Sequence, residues 1–265
     1  MLVSITMPVY NNLEGLDISL RSIISQTYTN WEVIVVDDGS IENHKKVVEK
    51  FDDDRIHFFR LNKNEGRSVA RQKTFSAIKG QFCAFLDAGD CYEKDFLKNA
   101  IECFYKGDFL AVSQTMKIVY RNKIYRSRLN ESKIINIKSF EYQNIAFAPT
   151  VIKAELCKNY VFNPPLRYSE DRFFLNYLSS NYNGKIVILN TFSYIYNQGS
   201  DNIKISTTFK KYYYDSIRLY REKKKLRALV RFFQAFLGSV YHLIFGYEAI
   251  LKKRYKKIDE KNNEL

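Results

Sequence analysis

The sequence predicts an α/β fold in which a mainly parallel central sheet is flanked by helices on both faces. Short apolar runs alternate with segments of helical period through the N-terminal part of the chain, a pattern typical of parallel sheets with helical crossovers. Two of these runs, VIVV and FCAFL, are continuously apolar, as expected of strands buried on both faces. A chain of 265 residues, 46% of them hydrophobic, can form one sizeable core and a smaller appendage.

The first predicted elements follow one another closely. In chain order we expect a strand at LVSITMPVY, a helix from Leu13, a strand at EVIVVDD, a helix near Glu42, a strand at RIHFF, a helix from Gly66 and a strand at QFCAFLD. The helix from Leu13 has the clearest apolar stripe, made of Leu13, Leu16, Leu20, Ile23 and Ile24. Asn11 or Asn12 can cap its N-terminus.

The later elements are less regular. VSQTMKIVYRNKIYRS predicts a strand, a turn and a strand, and the stretch from Phe140 to Cys157 predicts helix and loop before the Pro164-Pro165 break. A helix near Ser169, the strand KIVILN and the polar loop YNQGSDN follow.

The cysteines and the N-terminus predict a cytoplasmic protein. Cys83, Cys91, Cys103 and Cys157 show no paired two-residue spacing of the kind that zinc or redox sites use, so we expect reduced thiols. The chain enters a strand-like run at its second residue, and we therefore expect no signal peptide.

The positive charge is concentrated in the last part of the chain. The net charge is +13, and residues 208–265 contain 15 Lys and Arg against 6 Asp and Glu. A mostly apolar stretch of about sixteen residues within this tail is shorter than the ~20 that span a bilayer, and basic clusters flank it on both sides. We expect one or two amphipathic helices on the anionic inner face of the membrane. A helical pair packed on the protein body or on a second protomer is the alternative.

Acidic residues follow two of the predicted central strands. Asp37 and Asp38 come directly after VIVV, and Asp87 and Asp90 come after CAFL. Ligands of open parallel sheets bind beyond the carboxyl ends of the strands, so both pairs should face one crevice. The alternative for Asp38-Gly39-Ser40 is a turn or a helix cap.

Crowded carboxylates need positive charge nearby. A hard divalent cation, Mg²⁺ or Mn²⁺, suits such oxygen ligands and would be bridged by a diphosphate. Arg67 and Arg71 are the other sources of positive charge, and Arg71 can bind a nucleotide or phosphate. A structural salt bridge from Arg71 to Asp87 or Asp90 is the alternative. G-x-G-x-x-G after the first strand and G-x-x-x-x-G-K-[ST] are both missing from the sequence, which argues against a dinucleotide oxidoreductase and a phosphate-loop NTPase.

Two blocks of the sequence resemble the family 2 glycosyltransferases, which have the GT-A fold. SITMPVYNNLEGLDISLRSIISQTYTNWEVIVVDDGS is similar to the N-terminal signature of the family, and NKNEGRSVARQKTFSAIKGQFCAFLDAGD is similar to the block that ends in its metal-binding acidic motif. A shorter similarity covers Ser169-Glu170-Asp171-Arg172-Phe173-Phe174, which matches the Glu-Asp-x-x-Phe element of the family.

The resemblance assigns roles to individual residues. It implies that Pro8, Val9, Tyr10 and Asn11 line a nucleoside pocket and that Asp37 or Asp38 contacts the base. It places Arg67, Arg71, Asp87 and Ala88 at the nucleotide, and Asp87 and Asp90 at the diphosphate and its metal ion. Asp171 would be the general base, with Glu170 beside it, and the reaction would invert the anomeric carbon. The alternative for Glu170 and Asp171 is an acidic helix N-terminus capped by Ser169.

One departure concerns the metal site. The family usually has Asp-x-Asp-Asp where this chain has Asp87-Ala88-Gly89-Asp90, so the central carboxylate is missing. We expect metal dependence with weaker affinity than usual, because the cation would rely more on diphosphate and water ligands.

The resemblance and the tail together predict a domain plan and a function. Residues 1–207 would form the GT-A catalytic domain, with a Rossmann-like nucleotide-sugar half at 1–104 and an acceptor half at 105–207, followed by the helical tail at 208–265. We expect transfer of a sugar from a UDP-sugar to a lipid-linked glycan at the inner membrane face. A nucleotide-sugar-binding protein without transferase activity is one alternative. A nucleic-acid-binding protein that uses the basic, aromatic tail is another, although no nucleic-acid-binding motif supports it.

Overall fold

The computed structural model divides the chain into two compact units, Met1–Lys117 with Leu129–Asn197, and Ile118–Arg128 with Gln198–Leu265. The described residues are 1–126, 129–142, 147–162, 170–198 and 256–258.

Strands and helices alternate through the N-terminal part of the chain. The strands are β1 (Val3–Val9), β2 (Trp31–Asp37), β3 (Ile56–Arg60), β4 (Phe82–Phe85), β5 (Cys91–Tyr92), β6 (Phe109–Tyr120), β7 (Lys123–Arg126), β8 (Lys133–Asn136), β9 (Thr150–Lys153), β10 (Lys185–Gln198) and β11 (Lys256–Ile258). The helices are α1 (Leu13–Ile24), α2 (Lys45–Glu49), α3 (Arg67–Ser76), α4 (Phe96–Lys106), α5 (Glu155–Lys158) and α6 (Glu170–Asn181), with a 3-10 helix at Ile137–Tyr142.

The N-terminal strands form the predicted parallel sheet. β1 pairs in parallel with β2 and β4, and β2 pairs in parallel with β3. Every residue of β1 and β2 is buried. Val33 and Val35 pack in one hydrophobic cluster with Leu16 of α1, whereas Ile34 packs in the other with Phe75 of α3. The continuously apolar strand therefore reflects helices on both faces of the sheet.

The rest of the sheet corrects the prediction of a mainly parallel arrangement, because the observed sheet is mixed. β9 lies between β4 and β6 and is antiparallel to both. β10 is antiparallel to β5 and to β8. The sequence predicted helix and loop for the β9 region. Only Val151 and Ile152 of its four residues are apolar, and so short an apolar run cannot be distinguished from a buried helix segment by periodicity.

Helix α1 resolves the choice between two caps. Asn12 is the N-cap, and its Oδ1 accepts a hydrogen bond from the backbone N–H of Gly15 at 3.0 Å. Leu16, Leu20 and Ile23 of the predicted stripe are fully buried, whereas Ile24 is exposed. The helix packs on the sheet through the centre of its stripe.

The predicted helical tail at 208–265 lies outside the described residues, except for 256–258. These three residues form β11, which pairs antiparallel with β7 in the second unit, so the helical prediction is wrong for them. Among the helices that the structure describes, none is both long and apolar enough to span a bilayer.

Candidate active site

A cavity of about 460 Å³ opens at the carboxyl ends of the parallel strands, where ligands of open α/β sheets bind. Its lining residues are Pro8, Val9, Tyr10, Asn12, Asp38, Asn64, Gly66, Arg67, Ala70, Asp87 and Ala88. A second groove, of about 560 Å³, lies beside β3 and the end of α3 and is lined by residues 56–59 and 76–79. It contains none of the strand-end carboxylates, so the chemistry belongs to the first cavity.

Asp37 and Asp38 have different surroundings. Asp37 is fully buried, accepts a hydrogen bond from the Ser40 backbone N–H at 2.9 Å and lies 3.3 Å from Arg60 Nη1. Asp38 lines the cavity and accepts hydrogen bonds from the backbone N–H groups of Glu65 and Gly66 at 2.8 and 3.0 Å. Burial raises the pKa of Asp38, although these two hydrogen bonds oppose the rise. Of the pair, Asp38 is positioned to meet a ligand.

The residues at the end of β1 and directly after it differ in whether they line the cavity. Pro8, Val9 and Tyr10, which the family resemblance assigns to a nucleoside pocket, line the cavity. Asn12 lines it in place of Asn11, whose Oδ1 accepts a hydrogen bond from the Ile41 backbone N–H at 2.9 Å. Asn11 therefore holds the neighbouring loop.

The turn from Asp87 to Asp90 is fixed by hydrogen bonds from α1 and β10. Asn12 Nδ2 donates to the Ala88 carbonyl at 2.9 Å, and Asn197 Nδ2 donates to the Gly89 carbonyl at 2.7 Å. Gly89 has φ of 108°, a conformation that favours glycine. The glycine that replaces the usual carboxylate thus also permits this turn.

Asp90 is directed at β10 rather than at the cavity. Its Oδ2 accepts a hydrogen bond from the Tyr194 hydroxyl at 2.6 Å, and its Oδ1 accepts one from the Asn197 backbone N–H at 3.1 Å. Burial, and then the charge of Asp87, raise the pKa of Asp90 to about 8, against the effect of these hydrogen bonds. Both carboxylate oxygens therefore have partners within the protein.

Four charged side chains form an arginine–carboxylate ring, which we define as Arg67, Arg71, Asp87 and Glu170. Arg71 Nη2 lies 3.0 Å from Asp87 Oδ1 and 3.5 Å from Glu170 Oε1. Arg67 Nη1 lies 3.7 Å from Asp87 Oδ2 and 3.7 Å from Glu170 Oε1. Burial raises the pKa of Asp87, but Arg71 and Arg67 outweigh it and bring the pKa below its usual value. The ring joins α3, the end of β4 and the start of α6.

The two arginines of the ring differ in exposure. The Arg71 side chain is 2% exposed, and its guanidinium carbon lies 4.9 Å from the Phe147 ring centre. Its Nε and Nη1 have no hydrogen-bond partner among the residues that the structure describes. The Arg67 side chain is 57% exposed and lines the cavity. The salt bridge from Arg71 to Asp87, which was the alternative to ligand binding by Arg71, is present, and Arg67 is the arginine that a ligand can reach.

Glu170 and Asp171 begin α6. Glu170 is 4% exposed, and burial raises its pKa against the opposing effect of Arg67 and Arg71. Asp171 is half-buried, and its Oδ1 accepts a hydrogen bond from the Arg172 backbone N–H at 2.8 Å. Ser169, the predicted cap, lies outside the described residues.

The side chains available as ligands limit how a metal ion could be held. Within the described ranges, no group of three or more His, Cys, Asp or Glu side chains is close enough to hold a metal ion. Asp87 lines the cavity, whereas both oxygens of Asp90 are engaged. The residues present fit a cation that Asp87 contacts and that takes its other ligands from a diphosphate and water, as Mg²⁺ often does.

Sequence reasoning missed the contribution of β10. Tyr194 and Asn197 fix the Asp87–Asp90 turn, although more than 100 residues separate them from Asp90. Their order along the chain carries no signal of that contact. Asn12 and Asn64 were also missed as lining residues, although both lie within the two blocks that carry the family resemblance.

Comparison with known proteins places the chain in a family. The family model described as Glycosyl transferase family 2 matches residues 4–162, and the chain belongs to this family. A putative teichuronic acid biosynthesis glycosyltransferase, TuaG of Bacillus subtilis, is 35% identical over 38% of this chain and 41% of its own length. The Escherichia coli protein WfgD, a UDP-Glc:alpha-D-GlcNAc-diphosphoundecaprenol beta-1,3-glucosyltransferase, is 30% identical over 65% of this chain and 67% of its own.

Solved structures show the same fold. S. aureus TarS 1-349 in complex with UDP-GlcNAc aligns with a TM-score of 0.69 and 20% identity over 94% of this chain and 74% of that one. The mannosyltransferase PcManGT from Pyrobaculum calidifontis, in complex with GDP-Man and Mn²⁺, aligns with a TM-score of 0.63 and 15% identity over 95% of this chain and 78% of that one. The chain has a GT-A-like α/β fold with a mixed central sheet.

Proposed function

We propose that the protein is an inverting glycosyltransferase that moves a sugar from a UDP-sugar to a hydroxyl group of a lipid-linked oligosaccharide or polysaccharide precursor. The observation that carries this proposal is the position of the arginine–carboxylate ring. Its members Arg67 and Asp87 line the strand-end cavity, and its member Glu170 adjoins Asp171. A nucleotide-binding cavity and a carboxylate base are thereby linked through one charged cluster.

Different residues of the cavity contact different parts of the nucleotide-sugar donor. Pro8, Val9 and Tyr10 provide the wall for the nucleoside, and Asp38 is the carboxylate that accepts a hydrogen bond from the base. Arg67 supplies positive charge for the diphosphate, and buried Arg71 holds Asp87 in place beside it. The UDP-GlcNAc complex of TarS supports a uridine carrier by analogy.

The reaction we propose is a single displacement at the anomeric carbon. Asp171 accepts the proton of the acceptor hydroxyl as that oxygen attacks, and the sugar–phosphate bond breaks on the opposite face. Negative charge grows on the departing diphosphate, where Arg67 stabilises it. A divalent cation contacted by Asp87 would neutralise further charge on the diphosphate. Asp90 acts on this site indirectly, by fixing the turn that carries Asp87.

The acceptor and the location are proposed from the relatives and the tail. The name of WfgD specifies a diphosphoundecaprenol-linked acceptor, and a lipid-linked acceptor requires the enzyme to work at a membrane surface. The 15 basic residues of 208–265 suit the anionic inner leaflet. We therefore place the enzyme on the cytoplasmic face of the membrane as a peripheral protein.

A donor panel tests the function. The full chain is incubated with UDP-, GDP- and dTDP-sugars, with and without a polyprenyl-diphosphate-linked acceptor, in Mn²⁺ or EDTA, and the released nucleoside diphosphate is measured. We expect acceptor-dependent release from a UDP-sugar, reduced by EDTA. Tight UDP binding without release from any sugar would favour the nucleotide-sugar-binding alternative, and binding of nucleic acid without binding of nucleotide sugars would favour the other alternative.

A further inference from the structure

We propose that Glu170 is a positioning residue that competes with the donor diphosphate for Arg67 and holds the start of α6, and with it Asp171, through Arg71. This inference rests on the proposed function, because it assumes that the cavity binds a nucleoside diphosphate. It assigns Glu170 a role other than proton transfer.

The contacts within the arginine–carboxylate ring differ in strength. The contact between Arg71 and Asp87 is a hydrogen bond of 3.0 Å, whereas both ion pairs of Arg67 measure 3.7 Å. An ion pair of this length on a side chain that is 57% exposed is screened by solvent. Arg67 is therefore the member that can leave the ring at the lowest cost.

Arg67 can turn from the ring towards the cavity. Arg67 lines the strand-end cavity, and its guanidinium is shared between two carboxylates. A diphosphate in that cavity offers more negative charge and a bidentate geometry that suits a guanidinium. When Arg67 turns to the diphosphate, Glu170 loses one of its two cations and keeps Arg71.

The contact between Glu170 and Arg71 determines where Asp171 lies. Glu170 is the first residue of α6 and is 4% exposed, so its contact with buried Arg71 fixes the backbone next to Asp171. A displacement of about 1 Å in a reacting group can reduce a rate about 100-fold. Glu170 thus links donor occupancy to the placement of the base without contacting the substrate.

The experiment compares UDP binding with turnover in the full-length protein. UDP, and in parallel GDP, is titrated by calorimetry in Mg²⁺ into wild type, Glu170→Gln, Arg67→Gln and the double variant. Because Glu170→Gln frees Arg67 from one ion pair, we expect it to bind UDP about two- to fivefold more tightly, while turnover at saturating donor falls about ten- to 100-fold. Arg67→Gln should weaken UDP binding, and in that background Glu170→Gln should have no further effect on affinity.

The controls separate this proposal from simpler roles. Glu155→Gln changes an exposed carboxylate at the first position of α5 and should alter neither quantity, and melting temperatures report on folding. Unchanged or weaker UDP binding by a folded Glu170→Gln variant would overturn the competition. So would a tightening that persists without Arg67, or full UDP affinity in Arg67→Gln, which can be measured even if Glu170→Gln does not fold. Binding of neither UDP nor GDP by wild type would overturn the proposed function and this inference together.

Discussion

At the scale of single residues, the strand-end carboxylates have separate tasks. The sequence placed Asp37, Asp38, Asp87 and Asp90 at one crevice, and this part of the prediction could be made because parallel strands end at the same edge. Which carboxylates face the cavity depends on hydrogen bonds and ion pairs with residues elsewhere in the chain. The order of residues in the sequence does not reveal these partners. Asp38 and Asp87 line the cavity, whereas Asp37 and Asp90 are bound to Arg60 and to β10.

Gly89 gives a prediction at this scale. Its φ of 108° is unfavourable for any residue with a Cβ, and a Cβ placed there would lie 3.3 Å from Asn12 Nδ2. Gly89→Asp, which restores the usual central carboxylate, should therefore lower the free energy of unfolding by about 1–3 kcal/mol, measured by chemical denaturation. Ala88→Asp adds the same charge one residue earlier without the positive φ and should cost less. Equal stability of Gly89→Asp and wild type would show that the turn is not held in this conformation.

At the scale of elements, helices and strands were predicted correctly where the spacing of apolar residues reports which face is buried. The helix α1 and the strands β1, β2 and β4 could be predicted because the apolar side chains within each segment determine which of its faces are buried. β9 was missed because its four residues depend on the neighbours β4 and β6 for their conformation. β10 extends from Lys185 to Gln198, beyond the predicted KIVILN, because its second half pairs with β5 rather than following a local signal.

The start of β3 gives a pH-dependent prediction. Arg55 lies 3.7 Å over the ring of Trp31 at the start of β2, and it bonds to Asp53 at 2.6 Å. The hydrogen bond from Arg55 lowers the pKa of Asp53, although burial opposes it. A carboxylate whose pKa is lowered on folding stabilises the protein above its unfolded pKa of about 3.9, and this contribution disappears as the pH falls through the folded pKa.

Asp53→Asn isolates that contribution. Its Oδ1 can still accept from the Arg55 backbone N–H, as Asp53 does at 3.0 Å. At pH 7 the variant should be less stable than wild type by about 0.5–1 kcal/mol, because the pair is partly exposed, and the difference should vanish as the pH falls below the lowered, folded-state pKa of Asp53. Trp31, the single tryptophan, reports unfolding by fluorescence, and Asp54→Asn at an exposed neighbour is the control. A difference that is independent of pH would exclude the charge as its cause.

At the scale of the whole molecule, the charge distribution predicts membrane binding. The excess of Lys and Arg in 208–265 should attract anionic lipid by about 1 kcal/mol per residue near the surface. Changing Lys223, Lys224 and Lys225 to Glu should therefore weaken co-sedimentation with phosphatidylglycerol vesicles by about 100-fold or more. The same change at Lys45, Lys46 and Lys50, which are exposed at α2, should have a smaller effect. Equal binding by the tail variant and wild type would remove the membrane role of the tail.

The central claim for the whole molecule is that Asp171 acts as the base beside a nucleotide-binding cavity. The most direct measurement is the turnover of Asp171→Asn with a UDP-sugar and a polyprenyl-diphosphate-linked acceptor, together with its UDP affinity, and with Glu155→Gln as the control. A carboxylate base contributes ~10²- to 10⁴-fold, so turnover should fall by about that factor while UDP affinity is retained. Turnover equal to that of wild type would contradict the account.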